Sequence, residues 1–164
     1  MPEMPEKKLT VSASPHVRSA QTVSGIMLNV IIALIPALAA SVWLFGPRAL
    51  LICLVTIGTC MLSEYLSRKI MKRSNTLGDL SAVVTGLLLA SNLPVSIPLW
   101  QAAIGSVIAI VVVKQLFGGI GQNFVNPAIT GRIILMVSFP TAMTTWIKPL
   151  LWLDKGAEAV TTAT

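Results

Sequence analysis

The chain has 164 residues, 54% of them hydrophobic and 11% charged, with a mean hydropathy of +0.81. That balance excludes an ordinary soluble domain, and the apolar residues are gathered into long runs that suit a bilayer. The net charge of +6 does not indicate nucleic-acid binding: the basic residues end the apolar runs, where they set topology and meet lipid headgroups, and no basic face is interleaved with aromatics.

Residues 1–24 are polar and mildly basic, without the apolar core of a signal peptide, and are expected to form a cytoplasmic segment. His16 is the single histidine, so a histidine-based metal cluster is not expected from this chain. It is read as part of a docking segment at the membrane surface. The first expected span is Gly25 to Phe45, which contains Pro36 and is stopped by Gly46-Pro47. The second, Ala49 to Leu66, follows at once and forms a hairpin with the first. Arg68, Lys69, Lys72 and Arg73 come next, the densest basic cluster in the chain. Cys53 and Cys60 would lie about 10 Å apart on one helix face, too far for a disulfide, and are read as small buried hydrophobes.

A short apolar stretch follows, Leu80 to Leu93, interrupted by Pro94 and Pro98. At 1.5 Å per residue it reaches about 21 Å, less than the roughly 30 Å of a hydrocarbon core. The third span is Pro98 to Phe117, with Trp100 as an interfacial anchor. Then comes "FGGIGQNFVNPA", Phe117 to Ala128, an irregular Gly/Asn-rich break of the kind that survives at membrane depth only when buried in protein or lining a cavity. The fourth span is Pro127 to Ile147, with Arg132 inside it and Trp146 near its end. The expected fold is therefore all-α: a polytopic transmembrane helical bundle over residues 25–147, with one short broken helix and one Gly/Asn-rich break. Residues 148–164 form a separate terminal segment.

Charge leaves the number of crossings open. If the short stretch spans, there are five crossings, and Lys114 and Arg132 join the basic cluster on the cytoplasmic side. If it turns back, there are four, and Lys114 and Arg132 exchange sides with Lys148 and Lys155. Either way the N-terminus is cytoplasmic, while the side faced by Thr164 stays undecided.

Asp79, with Ser81, Thr85 and Asn92, offers a carboxylate and hydroxyls near the broken helix. The set could coordinate Na+ or relay a proton, or Asp79 could simply cap the helix. Arg132 would seek an anion, carbonyls or the polar edge of a cofactor ring, or would snorkel to the interface. Asn123 and Asn126 could bond a ligand or cap the helix that begins at Pro127. No Ser-His-Asp set, Walker A loop or dinucleotide fingerprint occurs. The chain ends on "EAVTTAT", where short side chains present accessible hydroxyls. A secondary transporter and a non-catalytic scaffold are the rival readings.

Four stretches, "SPHVRSAQTVSGIMLNVIIALIPAL", "DLSAVVTGLLLASNLPVSIPLW", "KQLFGGIGQNFVNPAITGR" and "EAVTTAT", together resemble the RnfD family, a membrane component of the Rnf complex, and its counterpart in the sodium-pumping NADH:quinone reductases. The resemblance runs from about Lys8 to the end. It implies a component of an ion-translocating oxidoreductase in the bacterial inner membrane, moving electrons between ferredoxin and NAD+ and coupling them to Na+ or H+ transport. It also implies FMN on a threonine phosphoester, placed there by a flavin transferase. The family's attachment pattern is close to Asp-Gly-x-Ser/Thr-Gly/Ser-Ala-Thr. Here Glu158 and Ala159 replace its first two residues, Thr161, Thr162 and Ala163 complete the motif, and Thr164 is the acceptor. In the family this flavin faces outward, which favours five crossings. A second, non-covalent flavin (riboflavin) near Asn123, Asn126 and Arg132 follows from the same resemblance. So do the partners, the other Rnf subunits: RnfA, RnfB, RnfC, RnfE and RnfG. Family members run about twice this length, so the chain is expected to be the N-terminal half of an inverted-repeat protein.

Overall fold

The computed structural model describes residues 21–74 and 76–152. Its regular structure is all helical, as expected. Helix α1 (Val23–Phe45) starts where Thr22 Oγ1 accepts the Gly25 N–H at 3.2 Å, and it carries Pro36 within its length. It stops at Gly46, whose φ of +79° lies in the left-handed region that glycine enters at little cost. Pro47 then opens α2 (Pro47–Ile70), at the start of the helix, where an N–H has no intrahelical acceptor to lose. These two helices are long and apolar enough to cross a membrane. The second continues past its predicted end at Leu66, so Arg68 and Lys69 lie in its last turn, beside the negative end of the helix dipole.

A 3₁₀ turn (Leu77–Asp79) leads into the predicted short helix, α3 (Ser81–Ser91). Its Ala82, Gly86 and Ala90 recur every fourth residue, a stripe of small side chains that lets backbones approach closely. The approach is close indeed: a Cβ on Gly86 would stand 2.7 Å from Ile57 Cα of α2. Helix α4 (Leu99–Ile108) then widens into a π-helical segment, Ala109–Gln115, which together realise the third predicted span. Asn126 Oδ1 caps α5 (Pro127–Ser138), accepting from the N–H groups of Ala128 at 3.0 Å and Ile129 at 3.4 Å.

The fourth predicted span, Pro127 to Ile147, is not continuous. Helix α5 ends at Ser138, Phe139 takes φ −134° and ψ 60°, and a separate short helix, α6 (Pro140–Thr144), begins. Pro140 supplies no N–H and forces the residue before it out of the helical region. The core gathers Ile52, Leu89, Leu93, Ala102, Leu135 and Met143 from α2, α3 and its exit loop, α4, α5 and α6.

Hydrogen bonds between distant segments give the direction of each helix. At one end Ser24 Oγ donates to Gly78 O at 3.0 Å, and Arg73 Nη1 donates to Gln115 O at 3.2 Å. At the other, Arg48 donates to Val95 O at 2.8 Å and to Ile97 O at 3.2 Å. There too Ser96 Oγ reaches Thr145 O at 2.5 Å, and the Leu150 N–H reaches Leu44 O at 2.6 Å. The chain therefore runs along the bundle five times, alternating direction. The short helix traverses the bundle with its flanking loops rather than turning back.

Candidate functional site

One face of α2 is polar where an apolar span should be driest: Thr56, Ser63, Glu64 and Ser67 are all buried. Glu64 is 0% exposed and Lys114, from the π-helical segment, is 1% exposed. The lysine Nζ lies 2.8 Å from both Glu64 oxygens and donates its third N–H to Ser81 Oγ. Glu64 Oε1 also accepts from Thr76 Oγ1 at 2.8 Å and from Gln115 Nε2 at 3.1 Å. Ser81 Oγ in turn donates to Asp79 Oδ1 at 2.6 Å, and the Ser81 N–H donates to the same atom at 3.0 Å.

Taking two charges out of water costs several kcal/mol per ion, and only close pairing with full hydrogen bonding offsets it. Both conditions hold here. An unbroken hydrogen-bonded chain links buried Glu64, through Lys114 and Ser81, to half-buried Asp79. It can hold a compensated charge inside the bundle.

The local helix geometry makes this possible. Successive side chains of an α-helix point about 100° apart, so three in a row seldom share one interior face. Here Val113, Lys114 and Gln115 are all buried. They sit in the wider π turn, a form found mostly as short insertions at functional sites.

The predicted site residues fall in several places. Asp79 caps α3 from one residue upstream of the left-handed Leu80. Thr85 Oγ1 donates back to Ser81 O at 2.8 Å, within its own helix. Arg132 Nη1 donates to Asn92 Oδ1 at 3.1 Å, tying α5 to the end of α3. Asn126 is engaged as a cap, and Asn123 Oδ1 is buried without a hydrogen-bond partner. Thr161, Thr162, Ala163 and Thr164 lie outside the described residues. Lys114 is not the topology-setting charge counted on one side or the other for five or four crossings, because its charge is internal and neutralised by Glu64. Glu64 and Gln115 are site residues that the sequence reading missed altogether. For Glu64 the signal was available, since an ionisable residue within an apolar span is a functional hypothesis by default; Gln115 carried no such mark.

At the opposite end of the bundle, a largely apolar cavity of about 430 Å³ opens between α1, α2, the end of α3 and the chain after α6. Leu44, Ala49, Cys53, Ser91 and Trp146 line it. The following residues are pinned beside it, since Trp152 Nε1 donates to Trp43 O at 3.2 Å and its ring lies against Gly46. Cys53 and Cys60 are both free and buried. Among the described residues no group of three or more His, Cys, Asp or Glu side chains is placed to hold a metal ion.

The family model described as "NQR2, RnfD, RnfE family" matches residues 10–164. The chain is 48% identical over 162 residues to the D subunit of the Na(+)-translocating ferredoxin:NAD(+) oxidoreductase complex of Acetobacterium woodii, covering 98% of this chain and 49% of that protein. It is 48% identical over 155 residues to the proton-translocating counterpart of Clostridium ljungdahlii, covering 94% and 46%. Against the D subunit of the ion-translocating oxidoreductase complex of Escherichia coli O1:K1 it is 42% identical over 141 residues, covering 85% and 40%. The chain thus spans about half the length, or less, of the curated relatives it matches.

Proposed function

This chain belongs to the NQR2, RnfD, RnfE family and is a multi-pass membrane protein, and on that footing we propose that it serves as the D subunit of an ion-translocating ferredoxin:NAD+ oxidoreductase, with FMN esterified to Thr164. The observation that carries the proposal is the family match over nearly the whole chain, including the terminal "EAVTTAT". FMN, when bound, supplies one- and two-electron transfer, and the protein supplies position and electrostatics. Thr164 would hold its phosphate, with Thr161, Thr162 and Ala163 forming the stretch that a flavin transferase reads. The apolar cavity beside Trp146 lies at the bundle end to which Trp152 is pinned, twelve positions before Thr164. An apolar cavity of that volume suits a planar aromatic ring.

The same geometry supports one orientation. The basic cluster Arg68 to Arg73 and the pinned Trp152 lie at opposite ends of the bundle. The positive-inside rule favours a cytoplasmic basic end, which supports reading Thr164 as facing outward from the inner membrane. The chain of Asp79, Ser81, Lys114 and Glu64 supports placing the ion-responsive element at the cytoplasmic end, with Thr85 one turn above Ser81. Asn123 Oδ1 is the unpartnered atom that a second, non-covalent flavin would meet near Asn126 and Arg132. The partners are the other Rnf subunits.

The test is in-gel fluorescence. The full-length protein, produced with its flavin transferase and run denatured, should glow under ultraviolet light, and Thr164→Val should go dark. A dark wild-type band would overturn the proposal.

A further inference from the structure

We propose that Arg68, at the end of α2, holds the phosphate of an anionic membrane-lipid headgroup. Four arginines lie among the described residues. Arg48 donates to the carbonyls of Val95 and Ile97, Arg73 to that of Gln115, and Arg132 to Asn92. Arg68 is different: it is only 8% exposed, and its Nε is buried with no hydrogen-bond partner. A guanidinium cannot shed its proton to escape this situation. A nearly buried cation whose N–H groups find no acceptor is costly, and a bound anion offsets that cost.

Among the described residues none supplies that anion. Among the described residues the acids are Glu64 and Asp79. Glu64 stands one turn earlier on the same helix, but Lys114 engages both its oxygens and cancels its charge. Asp79 Oδ1 accepts from Ser81, and the carboxylate forms no ion pair with Arg68. The positive charge of Arg68 is therefore left over, and the surrounding side chains add to it. The Arg73 N–H bonds to Arg68 O at 3.0 Å, and Lys69 and Lys72 flank the same turn.

Space for the guanidinium is built in. Gly119 has φ +106°, and a Cβ there would stand 2.7 Å from Arg68 Nη2. The residue that turns the chain after the π-helical segment thus also leaves room for the cation.

Depth selects the source of the phosphate. Arg48 and Arg68 are twenty positions apart on one helix, about 30 Å along its axis, which is the thickness of the hydrocarbon core. With Arg48 at one boundary, Arg68 reaches the other, at the level of lipid phosphates. A planar guanidinium pairs with phosphate through two parallel hydrogen bonds, and basic clusters just beyond a span draw anionic lipids. This inference rests on the chain crossing a membrane and does not depend on the flavin.

The test is native mass spectrometry of the full-length protein in detergent, titrated with phosphatidylglycerol, with phosphatidylcholine, and with inorganic phosphate as competitor. The wild type should retain phosphatidylglycerol in preference to phosphatidylcholine. Arg68→Gln should weaken that retention about tenfold, the scale of one charge-assisted contact, while Lys148→Gln, at the opposite end of the bundle, changes it by less than about twofold. Arg68→Lys, which keeps the charge but not the two-pronged contact, should fall between and guards against misfolding of the glutamine variant. Equal retention by wild type and Arg68→Gln would overturn the proposal, as would an unchanged preference in Arg68→Lys. Displacement of the lipid by inorganic phosphate at equal concentration would assign the site to a free anion and overturn the lipid assignment.

Discussion

Glu64 and Lys114 depend on one another. Removing either leaves an uncompensated charge in a buried position, which costs about 3–5 kcal/mol, whereas removing both leaves neutral groups that pack. Glu64→Gln and Lys114→Met should each lower the thermal unfolding temperature sharply, and the double variant should recover most of the loss. A double-mutant cycle in detergent measures the coupling, and simple additivity would contradict the pair. Asp79 makes a different case. Its Oδ1 accepts from the Ser81 N–H and hydroxyl, so Asp79→Ala should cost about 1 kcal/mol of stability and Asp79→Asn much less. Equal losses in the two variants, measured by the same unfolding assay, would contradict the cap. The sequence offered both an ion site and a cap for Asp79, and it is the geometry at Ser81 that supplies the bonds of a cap.

At the scale of elements, α3 is held by close backbone contact. Its Gly86 meets the backbone of Ile57, which cannot move aside as a flexible side chain would. Gly86→Val should therefore separate α3 from α2 and cost about 1–3 kcal/mol. Wild-type thermal stability in that variant would contradict the packing. Helices α1 and α2 were legible because an apolar run of sufficient length specifies them. The break after α5 was not, since Pro140 looked like Pro36, which α1 accommodates. The difference lies in tertiary packing: Phe139 turns out of the helix to meet Trp100 edge-on, with ring centroids 5.3 Å apart. The π segment was equally hidden, because "AIVVVKQ" carries no residue that distinguishes a wide turn from an ordinary one.

Over the whole molecule, the number of traversals was illegible for a specific reason. Lys114 and Arg132 exchanged sides with Lys148 and Lys155, so every topology gave the same tally, and one of those charges is in fact neutralised inside the bundle. Five alternating traversals put the basic cluster and Trp152 at opposite ends of the bundle. The claim beneath this arrangement is the ester at Thr164. Intact-mass analysis of the full-length protein, matured with its flavin transferase, tests it most directly. We predict a mass increase of one FMN, less water, on the wild type and none on Thr164→Val. An unmodified wild type, or an adduct that survives the substitution, would contradict the account.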